Sequence, residues 1–362
     1  MLNLIITQVS RNFIFTIFIF AFKIFGAYEN IFVIALISSC IIVGEVLIDF
    51  GSYGSELQVK NHHNRNINPF IYVKNKIIPI LITYAYIFLA TDFSNVVKII
   101  ILLTCIISAH SNFRRAYIHK KQQLKIESAA GIIKSVGIFF SICLYLLLDD
   151  IAALVAMLFI CYCVENFILH NFYKENFTDN LELNLSFSFG IHNVLGVIVG
   201  YFDLILLNNL MTLEDFGAYA VLARLVNIGL FFASTYALKN MPQWIEAKNY
   251  LVLKNLSNII LYGFIGLILV LTALIIGKFS AYTILIVGFI LVIRTLTLFF
   301  GSLLTATGHQ SLRTSGLVIT GWCYIIALYS LHEITLVQLL YLIAVINSCT
   351  CLFNLAGVYK YR

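Results

Sequence analysis

The chain has 362 residues, of which 61% are hydrophobic and only 11% charged, with a mean hydropathy of +0.95 and a formal net charge of +6. Soluble domains are about half apolar and about a quarter charged, so lipid is the solvent for most of this chain. A single soluble core and a disordered chain are both excluded.

Apolar stretches such as IIILLTCIISA and ILYGFIGLILVLTALIIG run without the alternation of a β-barrel, and the chain has only three prolines. Continuous runs of this kind are membrane helices. In chain order the expected spans are 2–22, 31–48, 73–90, 96–113, 129–148, 151–171, 186–208, 217–238, 256–277, 282–306, 316–331 and 335–356. The first lacks the basic start and the small-residue cleavage site of a signal peptide, so it reads as a retained helix with Arg11 near its middle. Even-numbered gaps (49–72, 114–128, 172–185, 239–255, 307–315) are the longer ones, and odd-numbered gaps are stubs such as Asp149-Asp150. None is long enough for a folded soluble domain.

Of the 23 Lys and Arg, sixteen fall in the even gaps, the C-terminal tail and their flanks, three in the odd gaps, and four inside spans. The positive-inside rule makes the even gaps and both termini cytoplasmic. Arg114 and Arg115 are counted among the loop charges, and Lys134 is expected to snorkel to the same side. All eight cysteines lie within apolar runs and read as small packing residues. The His62-His63 pair reads as a solvated loop pair. No metal site is expected.

Several short matches divide the chain in two. Phe-Gly-Ala-Tyr occurs at 25–28 and again at 216–219, 191 residues later. QQLK at 122–125 matches QSLR at 310–313, and Cys161-Tyr-Cys163 matches Cys349-Thr-Cys351, both 188 apart, with Asn166 and Asn354 continuing the match. Six spans per copy give both copies one topology, a parallel repeat about an axis along the membrane normal. The expected lobes are 1–175 and 176–362. Gly26 and Gly217 are expected to turn the chain into the second helix of each lobe, with Tyr28 and Tyr219 anchored at the interface.

Ionisable residues at the bilayer centre cost at least about 2.5–3.5 kcal/mol on insertion scales and mark interior or wet positions. Arg11 and Arg294 lie near mid-span, and Arg224 lies seven residues beyond Gly217. Arginine stays charged and offers a planar fork of donors, so three of them would suit a pyrophosphate group. Each also fits a structural ion pair or a snorkelling side chain, and the residues alone leave both readings open. Asp203 either pairs with Arg224 or takes protons in a coupling step, and Asn12 stands at an equivalent depth in the first copy. Glu45, Asp49 and Glu165, toward the cytoplasmic ends of their spans, are either solvated or gate the inner mouth. No nucleotide fingerprint, GxSxG or HExxH motif is present, so neither an enzyme nor a cofactor is expected.

The stretch GYFDLILLNNLMTLEDFGAYAVLARLVNIGLFF (200–232) resembles the seventh-to-eighth span region of the O-antigen and capsule-unit flippases of the multidrug/oligosaccharidyl-lipid/polysaccharide exporter superfamily. Asp203, Gly217, Tyr219 and Arg224 occupy that pattern, and Asp49-Phe50-Gly51 matches the family's stretch after span 2. The resemblance implies an all-α, MATE-like fold of about twelve membrane helices, with a V-shaped cleft between two six-helix lobes. It further implies a bacterial inner-membrane flippase for an undecaprenyl-pyrophosphate-linked oligosaccharide, with Arg11, Arg224 and Arg294 on the substrate and Asp203, Asn12, Glu45 and Glu165 coupling an ion or lining the cleft. The partners implied are the lipid-linked oligosaccharide, membrane lipid, a coupling proton or sodium ion and a glycan polymerase complex. No nucleic acid is among them. A drug or cation antiporter on the same fold would favour an acidic cleft. A membrane glycan polymerase would carry a large outer loop, and a scaffold would not explain repeated mid-span arginines.

Overall fold

The computed structural model describes residues 2–50, 76–120, 124–171, 210–247, 252–331 and 333–360, with residues 194, 196, 204 and 207; the side chains of residues 2–13 lie outside it. Among the described residues the fold is all helix, in eleven named elements. They are α1 (Leu2–Phe25), α2 (Tyr28–Asp49), α3 (Ile77–Ala90), α4 (Asn95–Lys120), α5 (Leu124–Leu148), α6 (Ile151–Asn171), α7 (Leu213–Ala247), α8 (Val252–Ile276), α9 (Ala281–Ala306), α10 (Gln310–Tyr329) and α11 (Leu336–Lys360). Nine of them contain stretches long and apolar enough to cross a membrane, and Ile14–Phe25 and Ile77–Leu89 are shorter apolar helices. The expected seventh span, 186–208, lies almost wholly outside the described residues.

Local chemistry explains the helix ends. Gly26 takes a positive φ of 71°, and Ala27 N–H reaches back to the Phe22 carbonyl at 2.8 Å, the closure that ends a helix on glycine. Thr212 caps α7 by accepting from Asp215 N–H at 3.2 Å, with Glu214 and Asp215 in the first turn beside the positive end of the helix dipole. Ser280 caps α9 through Thr283 N–H at 3.1 Å. Before α11, Thr335 and Gln338 satisfy each other's backbone N–H in a reciprocal box.

Two of the gaps expected on the cytoplasmic side are shorter than the sequence suggests. α4 continues through Arg114 and Arg115 to Lys120 with α5 resuming at Leu124, and α7 continues to Ala247 with α8 resuming at Val252. Charged residues in these stretches therefore sit on helices, and their direction is set by helical phase.

Residues 2–15 and 33–205 form one compact unit, and residues 16–32 and 206–362 another. In the first, α4 and α5 both pack on α6 and α3 packs on α4. In the second, α9 and α10 both pack on α11, α7 packs on α8, and both pack on α9. The arrangement recurs: α6 and α11 each receive the two helices that precede them. The cysteines are free thiols. Cys105 Sγ lies where a Cβ on Gly44 would fall, and Cys161 Sγ does the same at Gly137, so both fill the space left by a glycine on the facing helix.

The two Phe-Gly-Ala-Tyr copies do different work. The first forms the α1–α2 turn, whereas the second lies inside the opening turns of α7, so Gly217 is not a turn residue. Tyr219 is buried and is not an interfacial anchor. Within the second unit one copy packs on the other: the Tyr28 ring covers Gly217, and the Phe32 ring packs on Phe216, tilted by 53° with centroids 5.2 Å apart. A Cβ at Gly217 would meet Tyr28 Cδ1 at 2.7 Å, with Ile31 close behind. Gly217→Ala is expected to displace that ring and lower stability by about 1–2 kcal/mol, measured as the unfolding temperature in detergent. Gly26→Ala meets open space but must hold a positive φ, and is expected to cost about 1 kcal/mol through strain alone.

Candidate functional site

The densest polar chemistry among the described residues lies inside the first unit, where the ends of α2, α4, α5 and α6 meet. Helical phase brings it together. Ser108, Asn112 and Arg115 follow one another at intervals of four and three on α4 and share a face, as do Glu127 and Lys134, seven apart on α5, and Tyr162 and Glu165 on α6. Glu45 of α2 accepts from Ser108 Oγ and from Asn112 Nδ2. The other end of that amide, Asn112 Oδ1, accepts from Arg115. Arg115 then pairs with Glu165 and places its Nε 3.8 Å from Glu127. Lys134 Nζ lies 3.0 Å from Glu165 and 3.7 Å above the Tyr162 ring centroid. Next to it, Arg114 donates to both the carbonyl and the side-chain oxygen of Asn166.

Arg115, Lys134 and Glu165 are only 1%, 2% and 1% exposed. Stripping water from such ions costs several kcal/mol each, and only close pairing with further hydrogen bonds offsets it. The network meets that requirement by placing two cations on Glu165 and letting an asparagine relay Glu45 to Arg115. It fastens four helices at one end. Asp49 and Lys76 extend the same end: both are buried, and Lys76 Nζ donates to the Asp49 carbonyl at 2.6 Å.

These positions correct two expectations and narrow a third. Lys134 does not snorkel but is buried on Glu165. Arg115 and Arg114 are interior helix residues and not loop charges. Of the two readings open for Asp49, its burial removes the solvated one. For Arg114 and Arg115 the reason is that α4 continues to Lys120, so helical phase turns the side chains inward. Arg115 and Glu127 were missed as site residues because a loop was assumed over 114–128 where α4 and α5 continue, and Ser108 and Asn112 because only ionisable residues within the expected spans were weighed. The spacing Ser108–Asn112–Arg115, set against Glu127–Lys134, was the signal that could have found them.

The second unit holds the mid-span arginines. Arg224 is buried in α7 at 2% exposure. Arg294, midway along α9, is half-buried, and its Nε donates to Asn347 Oδ1 of α11 at 3.1 Å. Further polar contacts line α11: Thr350 donates to Thr320 of α10 at 2.9 Å, and Asn354 reaches the Thr297 carbonyl of α9 at 3.5 Å. Arg11 and Asn12 lie on α1, but their side chains, and all of Asp203, are outside the described residues. Glu45 and Glu165 belong to one network, whereas Arg224 and Arg294 belong to the other unit. Among the described residues there is no cluster of His, Cys, Asp and Glu that could hold a metal ion.

No family model matches the sequence, and no curated protein does. Solved structures do match the fold. One is the inward-facing conformation of a multidrug resistance MATE family transporter of the MOP superfamily, with a TM-score of 0.66 at 11% identity, covering 98% of this chain and 94% of that one. Another is a MATE protein in complex with MaL6, with a TM-score of 0.59 at 12% identity over 99% and 94%. A third is a MOP superfamily transporter from Pyrococcus furiosus Vc1, described as having a binding pocket of reverse polarity that suggests a different function, with a TM-score of 0.56 at 12% identity over 99% and 94%. Identities this low carry the architecture alone. The chain is a multi-pass membrane protein with the all-helical fold of the MATE transporters.

Proposed function

We propose that this chain is a flippase of the bacterial inner membrane that moves an undecaprenyl-pyrophosphate-linked oligosaccharide, an O-antigen repeat unit, by alternating access between lobes 1–175 and 176–362. Both termini face the cytoplasm, and the cycle is coupled to a proton or sodium ion. The observation that carries this reading is Arg294, a cation at mid-helix held by a neutral asparagine. A cation-exporting site would place carboxylates there. The transporter fold supports movement of a solute, and the Asp203–Gly217–Tyr219–Arg224 pattern supports the glycan class. Arg11, Arg224 and Arg294 contact the pyrophosphate or acidic sugar, and Asp203, Asn12, Glu45 and Glu165 couple the ion or line the cleft. A glycan polymerase is the partner that consumes the product.

Arg224→Ala and Arg11→Ala, each at wild-type protein level, are expected to reduce glycan export about tenfold or more, as for loss of one charge-assisted hydrogen bond. Surface glycan in a deletion strain carrying each variant is the measurement, and full complementation by both removes their role. The second reading is a drug antiporter, favoured because the neighbours include a multidrug resistance transporter. Proteoliposomes separate the two: the flippase moves a short-chain lipid-linked oligosaccharide and leaves cationic dyes where they are.

A further inference from the structure

We infer that Asn347 is a positioning residue that presents the free edge of the Arg294 guanidinium to a phosphate or pyrophosphate group. The inference deepens the headgroup role proposed for Arg294 and rests on it.

The geometry is a two-step tether. Asn347 Nδ2 donates to the Ile343 carbonyl one turn earlier in α11, at 2.7 Å. That bond fixes which end of the amide faces Arg294: the nitrogen is committed to its own helix, so the oxygen points across to α9. There Oδ1 accepts from Arg294 Nε at 3.1 Å. Holding a guanidinium by Nε leaves the Nη1 and Nη2 edge directed away, with its paired donors parallel, the arrangement that meets two oxygens of a phosphate at once. Asn347 is buried, whereas Arg294 is half-buried, so the tether is inside the helix packing while the arginine keeps exposed surface.

Nearby groups leave that edge available. Thr295 and Thr297 turn their hydroxyls back to the carbonyls of Leu291 and Ile293, and Ser348 donates to Ala344. Among the described residues Arg294 has no carboxylate partner, and its one hydrogen bond is to Asn347. A mid-membrane cation is ordinarily neutralised by an acidic side chain. Here the partner is the uncharged isostere of aspartate, which fixes direction without cancelling charge. The ligand class this selects is an anion that offers two neighbouring oxygens to the fork, as a phosphate ester or pyrophosphate does.

The test titrates the purified full chain in detergent with a short-chain prenyl pyrophosphate, followed by calorimetry. Asn347→Asp preserves the shape of the acceptor and supplies a counter-ion, so affinity is expected to fall about tenfold or more. Asn347→Ala removes the tether without adding charge. Its expected effect is a loss of preference for the prenyl pyrophosphate over the corresponding monophosphate, which a merely structural asparagine would not move. If the aspartate variant does not fold, that preference ratio decides alone. Unchanged affinity and unchanged preference in the folded variants overturn the inference, as does a wild-type chain that shows no saturable binding. Saturable binding with the expected losses supports it even where reconstituted chain fails to move lipid-linked glycan; that failure removes the glycan reading and leaves the anion site.

Discussion

Replacing Arg115 by methionine is expected to remove about 3–5 kcal/mol of stability, the cost of breaking a buried ion pair from one side. Methionine fills similar space and keeps the helix, so packing changes little. What changes is that Glu127 and Glu165 lose their shared cation and Asn112 loses the donor that links it to Glu45. The measurement is thermal unfolding in detergent followed by a thiol-reactive dye, since Cys40, Cys105 and Cys161 are buried in the same unit and become reactive only when it opens. The paired change Arg115→Met with Glu127→Gln is expected to recover part of the loss by removing one uncompensated carboxylate. An unfolding temperature within a degree or two of wild type for Arg115→Met alone would mean the network contributes nothing.

Gly266→Leu is expected to be at least as damaging, through packing and not charge. α7 and α8 approach so closely that a Cβ on Gly266 would coincide with the Gly229 carbonyl oxygen, and a Cβ on Gly229 would strike Leu291 and Val270. Small residues that let backbones touch are a main source of helix association in lipid, where there is no hydrophobic drive between spans. Even Gly266→Ala must push the helices apart, at about 1–3 kcal/mol, and leucine should prevent α7, α8 and α9 from closing. Gly288→Ala in the same unit is the matched control, because its Cβ would meet only Leu271 at 3.5 Å and Leu267 at 3.9 Å. It is expected to change stability by less than about 0.5 kcal/mol. Equal unfolding temperatures for the alanine variants at 266 and 288 would refute this account of the contact.

The helices were legible in the sequence because hydropathy reports the dominant energy, that of backbone and side chains in lipid. The expected spans at 151–171 and 282–306 lie within a residue of α6 and α9. Phase was less legible. Arg115 and Lys134 were assigned to the aqueous side because positive-inside counting registers how near a charge lies to a span end. It is blind to which way the side chain points. That direction depends on whether α4 and α5 continue through the polar stretch, and three residues between them suffice. The pairing of Arg294 with Asn347 was beyond reach for another reason: two positions 53 residues apart become neighbours only through the packing of α9 on α11. The paired Phe-Gly-Ala-Tyr copies could be read as a repeat, but nothing in either tetrapeptide tells that one is built to receive the other.

That docking bears on how the protein is made. The second unit contains residues 16–32 together with residues 206–362, so its first piece leaves the ribosome long before the rest. At about 5–20 residues per second, Tyr28 and Phe32 wait on the order of ten to forty seconds for Phe216 and Gly217 to follow. During that interval the tip of the first hairpin has no native surface to cover it, and lipid or an insertion factor must shield it. A chain stopped before residue 206 would carry this tip permanently uncovered. Co-expressing the halves as separate polypeptides therefore restores a complete second unit only if the two fragments meet before the orphaned hairpin is degraded.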